Sequence, residues 1–331
     1  MPTIEELKNR LRIPAMVSPL FLCSGPDMVV ETCKAGVVGT FPALNQRTAE
    51  GYGDWLKAIK NRLAGADAAP FAAQLSPHRT NLRSAPDLEL SIKYQIPILI
   101  TTLAISREIT DAVHSYGGLV FHDATTIRHA QKAIEANVDA VIAVAQGAGG
   151  HSGDYNPFAF LAELKQVAGD KAIILAGGIS DGRCMAGAIV AGADFVSLGT
   201  CFVPTVECMA SKEQKQMVLE STIADIVYTD EVSGIGASFL RQTLENFKPT
   251  GKSGRGMDVA QEITPRLWRD YWSAGQGVGG SNEICSVRGL CERLEREYYA
   301  ALDQVKVLLE GRTGHISKTY GSRTKEKMAV E

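Results

Sequence analysis

The 331-residue chain is 45% hydrophobic and 21% charged, with a formal net charge of −3: enough for one large α/β barrel or two ordinary domains, and without a charge excess that would draw it to nucleic acid or an anionic membrane. Its seven cysteines are odd in number and form no CxxC or CxxH pair, which argues against a disulfide framework or a zinc site and for free thiols in a reducing compartment. The opening MPTIEELKNRLRIP carries early acidic residues and no apolar core, and no uncharged apolar run reaches about 18 residues, so neither a signal peptide nor a membrane span is expected and a cytoplasmic protein is.

In chain order, an opening helix is followed by a short apolar run, Ile13–Met16, and a helix over about Pro26 to Ala35. Seven further runs follow: Gly36–Thr40, Phe71–Leu75, Ile96–Thr101, Gly118–His122, Ala140–Val144, Ala172–Leu175 and Phe195–Leu198. Each is too short for a buried helix and most lack strict alternation, as parallel strands covered on both faces do. Between them lie helix patterns. Thr126–Ala136 ends at Asn137, and Gly182–Ala191 ends at Gly192; asparagine or glycine there is a usual helix stop. Eight strands with intervening helices predict a closed (β/α)8 TIM barrel. A doubly wound sheet would carry GxGxxG after its first strand, and none is present.

After Thr200 the pattern changes. Residues 206–282 read as mostly helical, without a strong strand run, and are expected to form a helical insertion capping the C-terminal face. Ser286–Leu309 reads as a long amphipathic helix, with Leu290, Leu294, Tyr298, Leu302 and Val305 at helical spacing, returning to close the barrel. The expected division is a barrel of residues 1–205 and 283–315, a cap of 206–282, and a polar, flexible tail of 316–331.

Barrel chemistry sits at the C-terminal strand ends. Three glycine-rich segments fall there: Gly147–Gly153 after the sixth run, Ala176–Gly182 after the seventh, and Gly199-Thr200 after the eighth. Gly177, Gly178, Gly199 and Thr200 suit a phosphate, because glycine lets backbone N–H groups approach an anion closely. Two tight βα turns without a ligand would use the same residues. His151, flanked by glycines, has little apolar packing to do and can move a proton or hold an anion. His78, His114, His129 and His315 lie in polar or helical contexts that suit the surface. His122, at a strand end, suits a buried, hydrogen-bonded ring. Trp272–Gly280 is glycine-rich, but a plain linker would not need Trp272 and Gln276. Ser233-Gly234-Ile235-Gly236 is either a turn or a wall of the site.

The set Ala148-Gly149-Gly150-His151-Ser152-Gly153, Ala176-Gly177-Gly178-Ile179, Leu198-Gly199-Thr200-Cys201-Phe202 and Ala274-Gly275-Gln276-Gly277 resembles the nitronate monooxygenases, formerly 2-nitropropane dioxygenases, over about Ile13 to Leu309. The same order of motifs occurs in FMN-dependent enoyl-acyl-carrier-protein reductases and in NADH:quinone reductases. The resemblance implies an FMN-dependent oxidoreductase that oxidises a nitronate or nitroalkane with O2 to a carbonyl compound and nitrite, without a metal. NAD(P)H as a co-substrate and a homodimeric state are compatible with it. It implies that Met16, Val17 and Ser18 back the flavin through main-chain contacts and that Gln74 reaches its polar edge. Ala148, Gly149, Gly150 and the catalytic His151 would lie near ring and substrate. Gly177, Gly178, Gly199 and Thr200 would hold the phosphate, and Ala274, Gly275 and Gln276 would add contacts. The sequence departs from the family in four places, one being the unusual first-strand segment Pro14–Leu22 (PAMVSPLFL). Gln74 replaces an asparagine, Gln146-Gly147 stands where a glutamate often precedes AGGH, and Asp123 stands where relatives often carry a lysine that would favour a negative flavin.

Overall fold

In the computed structural model, which describes residues 3–248 and 266–310, eight parallel strands run in the order β1-β9-β8-β6-β5-β4-β3-β2. They are β1 (Ala15–Val17), β2 (Gly39–Pro42), β3 (Phe71–Leu75), β4 (Ile98–Thr101), β5 (Leu119–Ala124), β6 (Ala140–Val144), β8 (Ala172–Ala176) and β9 (Phe195–Leu198). The two ends of the sheet meet: Met16 bridges Val38 in parallel, the Val17 N–H donates to the Val38 carbonyl at 2.9 Å, and the Val38 N–H donates to the Ala15 carbonyl at 3.3 Å. The predicted (β/α)8 barrel is what forms.

Alternation along each strand separates two cores. Ile98, Ile100, Leu119, Phe121, Ile142 and Ile174 fill the barrel interior. Leu99, Val120, Val141, Leu175 and Val196 face outward into the helical layer. Both faces are therefore apolar, which is why the runs show no polar alternation in the sequence. One step beyond the interior leucines and isoleucines, the same period places Ser18, Gln74, Thr102, Asp123 and Ser197 at the top of the barrel, where they line a cavity. The interior is thus apolar below and polar at its C-terminal end.

The helices start and stop on local chemistry. The side chains of Thr48, Thr126, Asp181 and Ser211 accept backbone N–H groups from the first turns that follow them, satisfying donors the helix itself leaves unpaired. Asn137 and Gly192, directly after helices Ile127–Glu135 and Gly182–Val190, adopt φ of +62° and +110°, the left-handed stop their residue types favour. The last helix, Val287–Glu310, buries Val287, Leu290, Cys291, Leu294 and Tyr298. It packs on helices Gly182–Val190 and Pro26–Lys34 and so covers the seam where β9 meets β1. An Arg12–Glu295 ion pair and a hydrogen bond from the Tyr299 hydroxyl to the Arg12 carbonyl (3.0 Å) fix it there.

Three expectations need correction. The first two strands begin later than their apolar runs, because residues 13–14 and 36–38 are the approaches to the sheet. β5 runs on to Ala124, which puts Asp123 inside a strand and turns it toward the barrel axis. Finally, the segment expected to be helical contains two strands, β10 (Ile226–Thr229) and β11 (Ala237–Leu240). They form a three-stranded antiparallel sheet with β7 (Gly150–His151), pairing Ala237 with His151 and Ser238 with Gly150. Such short strands give little sequence signal, and this ladder exists because the loop after β6 supplies an edge to pair with. Val232, Ala237 and Phe239 are buried beneath it with Leu244, Leu267, Trp268 and Tyr271 packed on them. Residues 249–265 of the expected cap, and the tail with His315, lie outside the described residues.

Phe121 fills the barrel interior at 1% exposure. Phe121→Ala is expected to cost about 3–5 kcal/mol, read as a lower urea midpoint. Val307→Ala, on the exposed side of the last helix, is expected to stay within about 0.5 kcal/mol of the parent.

Candidate active site

The C-terminal ends of the barrel strands open into a cavity of about 1250 Å³. Its floor is the polar top layer. Ser18 Oγ and Ser197 Oγ are 2.7 Å apart, and Gln74 Nε2 donates to Asp123 Oδ2 at 2.8 Å. Its walls are the loops after β6, β8 and β9 and the segment Trp268–Gly277.

One carbonyl ties the glycine loops together. Gly147 O accepts from Gly178 N (3.1 Å) and from Gln276 N (2.8 Å), while Gly275 N donates to Thr200 Oγ1 at 2.8 Å. Segments far apart in sequence are thereby locked side by side. Their backbones approach so closely that side chains are excluded: a Cβ on Gly275 would lie 2.4 Å from Gly147 O, and one on Gly149 would lie 2.9 Å from the Ala274 carbonyl carbon. Gly178 is different. It has φ +67°, and a Cβ there would meet nothing within 4 Å, so its surface is open toward the cavity.

His151 stands on β7, half-buried against the insertion. Its Nε2 lies 3.1 Å from Ser233 Oγ, and that hydroxyl donates its proton to the Ile235 carbonyl at 3.0 Å. With its proton on the Ile235 carbonyl, the serine oxygen is placed to accept from Nε2–H. Trp268 meets the imidazole edge-on at 5.1 Å and itself stacks on Phe239 at 5.4 Å. Surrounding protein strips water from the ring and pushes its pKa down to about 4, so the imidazole is neutral at neutral pH. Tyr228 adds a hydrogen bond from its hydroxyl to the Ser152 carbonyl (3.2 Å), holding the β6 loop to the hairpin.

Of the residues singled out in the sequence, Ser18, Gln74, Ala148, Gly149, Gly150, His151, Gly177, Gly178, Gly199, Thr200, Ala274 and Gly275 all line this cavity. Met16 and Val17 do not. Met16 is buried in the barrel interior and Val17 in the outer core, and the Val17 N–H and carbonyl are engaged by Val38 and Thr40. Gln276 is exposed beside the cavity, and its Oε1 lies where a Gly147 side chain would begin. His122 is buried and bonded through Nδ1 to Thr101 Oγ1 at 2.8 Å, with burial pushing its pKa down to about 4. His129 is exposed, as its sequence context suggests, and borders the cavity, while His78, placed at the surface by its context, is half-buried and lines it; His114 pairs with Asp139 at 2.9 Å. Trp268 and Ser197 were not legible as site residues, since nothing local marks them; of Ser233 the sequence showed only that it belongs to a turn or a wall of the site. Asp123 stood out only as a departure from a family pattern.

The close backbone contact makes a direct expectation. Gly275→Ala should force the Gly147 and Ala274 segments apart and cost about 1–3 kcal/mol as an overpacked site does, seen as a lower melting temperature. Gly279→Ala, with open space around its Cβ position, should leave melting nearly unchanged.

Comparison with known proteins follows the same lines. The family model described as "Nitronate monooxygenase" matches residues 23–294, well over half of the chain. A protein of Staphylococcus haemolyticus described as a probable nitronate monooxygenase is 32% identical over 248 residues, which take in 67% of this chain and 66% of that protein, so the chain spans a little under two thirds of that relative's length. Among solved structures, a nitroalkane oxidase from Streptomyces ansochromogenes superposes with a TM-score of 0.79 at 22% identity, covering 90% of this chain and 99% of that one. FabK from Thermotoga maritima superposes with a TM-score of 0.78 at 20% identity, covering 91% of this chain and 98% of that one. These two likenesses establish a shared fold, and the family match establishes membership: this chain belongs to the nitronate monooxygenase family.

Proposed function

We propose that the protein is an FMN-dependent nitronate monooxygenase, converting a nitronate or nitroalkane and O2 to a carbonyl compound and nitrite. The observation that carries this reading is a neutral histidine, oriented by a serine and shielded by a tryptophan, facing a glycine-cradled cavity at the mouth of a barrel of this family. The cavity residues fit an FMN. Gly177, Gly178, Gly199 and Thr200 would hold its phosphate at the place where barrels commonly bind one, and the open face of Gly178 is the cradle a side chain would fill. Ser18, Gln74 and Ala148–Gly150 would bound the ring, with Ala274, Gly275 and Gln276 closing the side. FMN, when bound, supplies the electron-transfer chemistry between substrate and oxygen.

The chain's own residues bind, orient and move a proton. Ser233 fixes the imidazole of His151, and Trp268 excludes water from one side of it. The imidazole of His151 is the group that would take the α-proton from a neutral nitroalkane. A substrate that arrives as a nitronate needs no such step, and His151 then only hydrogen-bonds the anion. His151→Gln is therefore expected to lower kcat/KM for a neutral nitroalkane by about 10²–10⁴-fold and to affect the preformed nitronate far less. Equal losses on both substrates would remove the base role. Because burial holds the ring neutral down to about pH 4, kcat/KM for the nitroalkane should rise through about pH 4 and show no inflection near the ordinary histidine pKa of about 6.5. Oxygen uptake by the flavin-loaded protein on adding propionate 3-nitronate checks the activity itself.

A second reading draws on one observation. A cavity of about 1250 Å³ exceeds the ~300–1,000 Å³ of ordinary ligand pockets and leaves room for a bulky second ligand. An NAD(P)H-dependent FMN oxidoreductase acting on a quinone or an enoyl thioester would use that room. Anaerobic mixing separates the two readings: bleaching of the flavin by nitronate and not by NADH supports the first, and the reverse supports the second.

A further inference from the structure

Asp123 is a carboxyl on the barrel axis with no role in the chemistry described above. Its position follows from β5 running two residues past its apolar stretch. Leu119 and Phe121 point inward, so residue 123 does too, into the top layer with Thr102, which follows the adjacent strand β4, and Gln74 on β3, one strand further on. Gln74 donates to one carboxyl oxygen, and Thr102 also hydrogen-bonds the group. The layer beneath is wholly apolar, with Ile100, Phe121 and Ile142 buried. A carboxylate in this position loses water below and gains two neutral donors, which offset only part of the cost of burying a charge. Burial accordingly pushes the Asp123 pKa up to about 7, against the opposing pull of Gln74 and Thr102.

The charged and titratable groups that border the same space, among the described residues, are His78 beyond β3, Cys23 beyond β1, His129 and Lys132 on helix Ile127–Glu135, His151 and Asp154 beyond β6, Tyr228 on β10 and Arg269 on the insertion. From the adjoining strands, Thr102 and Val144 are uncharged, and His122, next in sequence, is held neutral by its own burial. Among the described residues, the two side chains that act on the Asp123 carboxyl, Gln74 and Thr102, are both uncharged. Asp123 is thus poised to change protonation in response to a new charge in the cavity.

We propose that Asp123 is a redox-linked proton-holding residue: it takes up one proton from solvent when a flavin bound in the cavity is reduced, and releases it on reoxidation. This rests on the flavin reading of the cavity. The balance is as follows. Substrate delivers two electrons and one proton to the flavin, which gains one net negative charge. That charge disfavours a second anion nearby, so the Asp123 carboxylate accepts a proton from solvent and becomes neutral. When O2 removes the two electrons together with the flavin's own proton, the charge disappears and the Asp123 proton returns to solvent. Where family members with lysine would neutralise the reduced flavin with a fixed positive charge, this chain does so by proton uptake, which makes flavin reduction pH-dependent.

The test is a spectroelectrochemical titration of the flavin-loaded protein from neutral to alkaline pH. With two protons per two electrons the midpoint potential falls with pH twice as steeply as with one. Wild type is expected to show the steeper slope just above about pH 7, the Asp123 value in the structure, and Asp123→Asn the shallower slope throughout. Identical slopes in the two proteins would overturn the proposal while leaving the flavin reading intact. Failure of the wild type to retain any flavin would sink both. Should Asp123→Asn not fold, proton uptake by wild type is read directly with an indicator dye during anaerobic reduction in weak buffer: two protons per flavin supports the proposal, and one overturns it. A readout without flavin accompanies these. The native state holds the Asp123 proton more tightly than the unfolded chain does, so wild-type stability falls as pH rises from the ordinary carboxyl range through about 7. Asp123→Asn, spared that loss, should gain melting temperature relative to wild type in mildly alkaline buffer and not in acid.

Discussion

Closure of the sheet is the constraint on which the site depends. A parallel sheet with two free edges would present unpaired backbone groups and an apolar face to water. Here the first and last members of the strand order meet through the Met16–Val38 bridge and the flanking hydrogen bonds of Val17 and Val38. Once the ring is closed, every second side chain points at a common axis. The short strands then have room for apolar layers below and one polar layer above, and that polar layer becomes the floor of the cavity. Ser18, Gln74, Asp123 and Ser197 come from four strands spread over 180 residues of sequence, and only closure brings them within one layer.

A second tie positions the walls. The loop after β6 is anchored on one side by the Gly147 carbonyl, which receives the Gly178 and Gln276 N–H groups, and on the other by the antiparallel pairing of Gly150–His151 with Ala237–Ser238. His151 is therefore held on a strand rather than left on a loose loop. A side chain whose rotamer is locked by a strand, a serine and a tryptophan is preorganised, and such sites need little reorganisation when substrate arrives. The segment after β9 joins the cavity wall through this pairing and carries its own small apolar core, on the oxidoreductase scaffold of the nitronate monooxygenase family.

Two titratable groups of the cavity, His151 and Asp123, are tuned in opposite directions by the same cause. Burial disfavours charge, lowering the histidine pKa and raising that of the aspartic acid. His151 and Asp123 are thus both biased toward neutrality, one above the cavity and one below it, each held by a neutral hydrogen-bond partner. An anion entering the space meets no fixed countercharge on either of them. Its charge can be met by proton movement, by the backbone N–H groups of the glycine loops, or by Lys132 and Arg269 at the cavity border.

Much was legible in the sequence. Eight apolar runs of strand length, helix stops at Asn137 and Gly192, and glycine clusters after the sixth, seventh and eighth runs follow from local physics: residue-level burial preferences, left-handed φ values and the demands of close backbone approach. Those signals fixed the barrel, and they marked the loops that converge on one cavity. What tertiary structure alone decided is of another kind. The β10–β11 hairpin is too short to declare itself and forms because an edge is offered by residues far away. The withdrawal of Met16 and Val17 into the two cores depends on where β1 begins, a matter of one or two residues. The arrival of Trp268, Ser233 and Asp123 at the site depends on closure and on register, which no local pattern encodes. A one-residue difference in strand end would turn Asp123 out of the barrel, and only the assembled sheet sets that end.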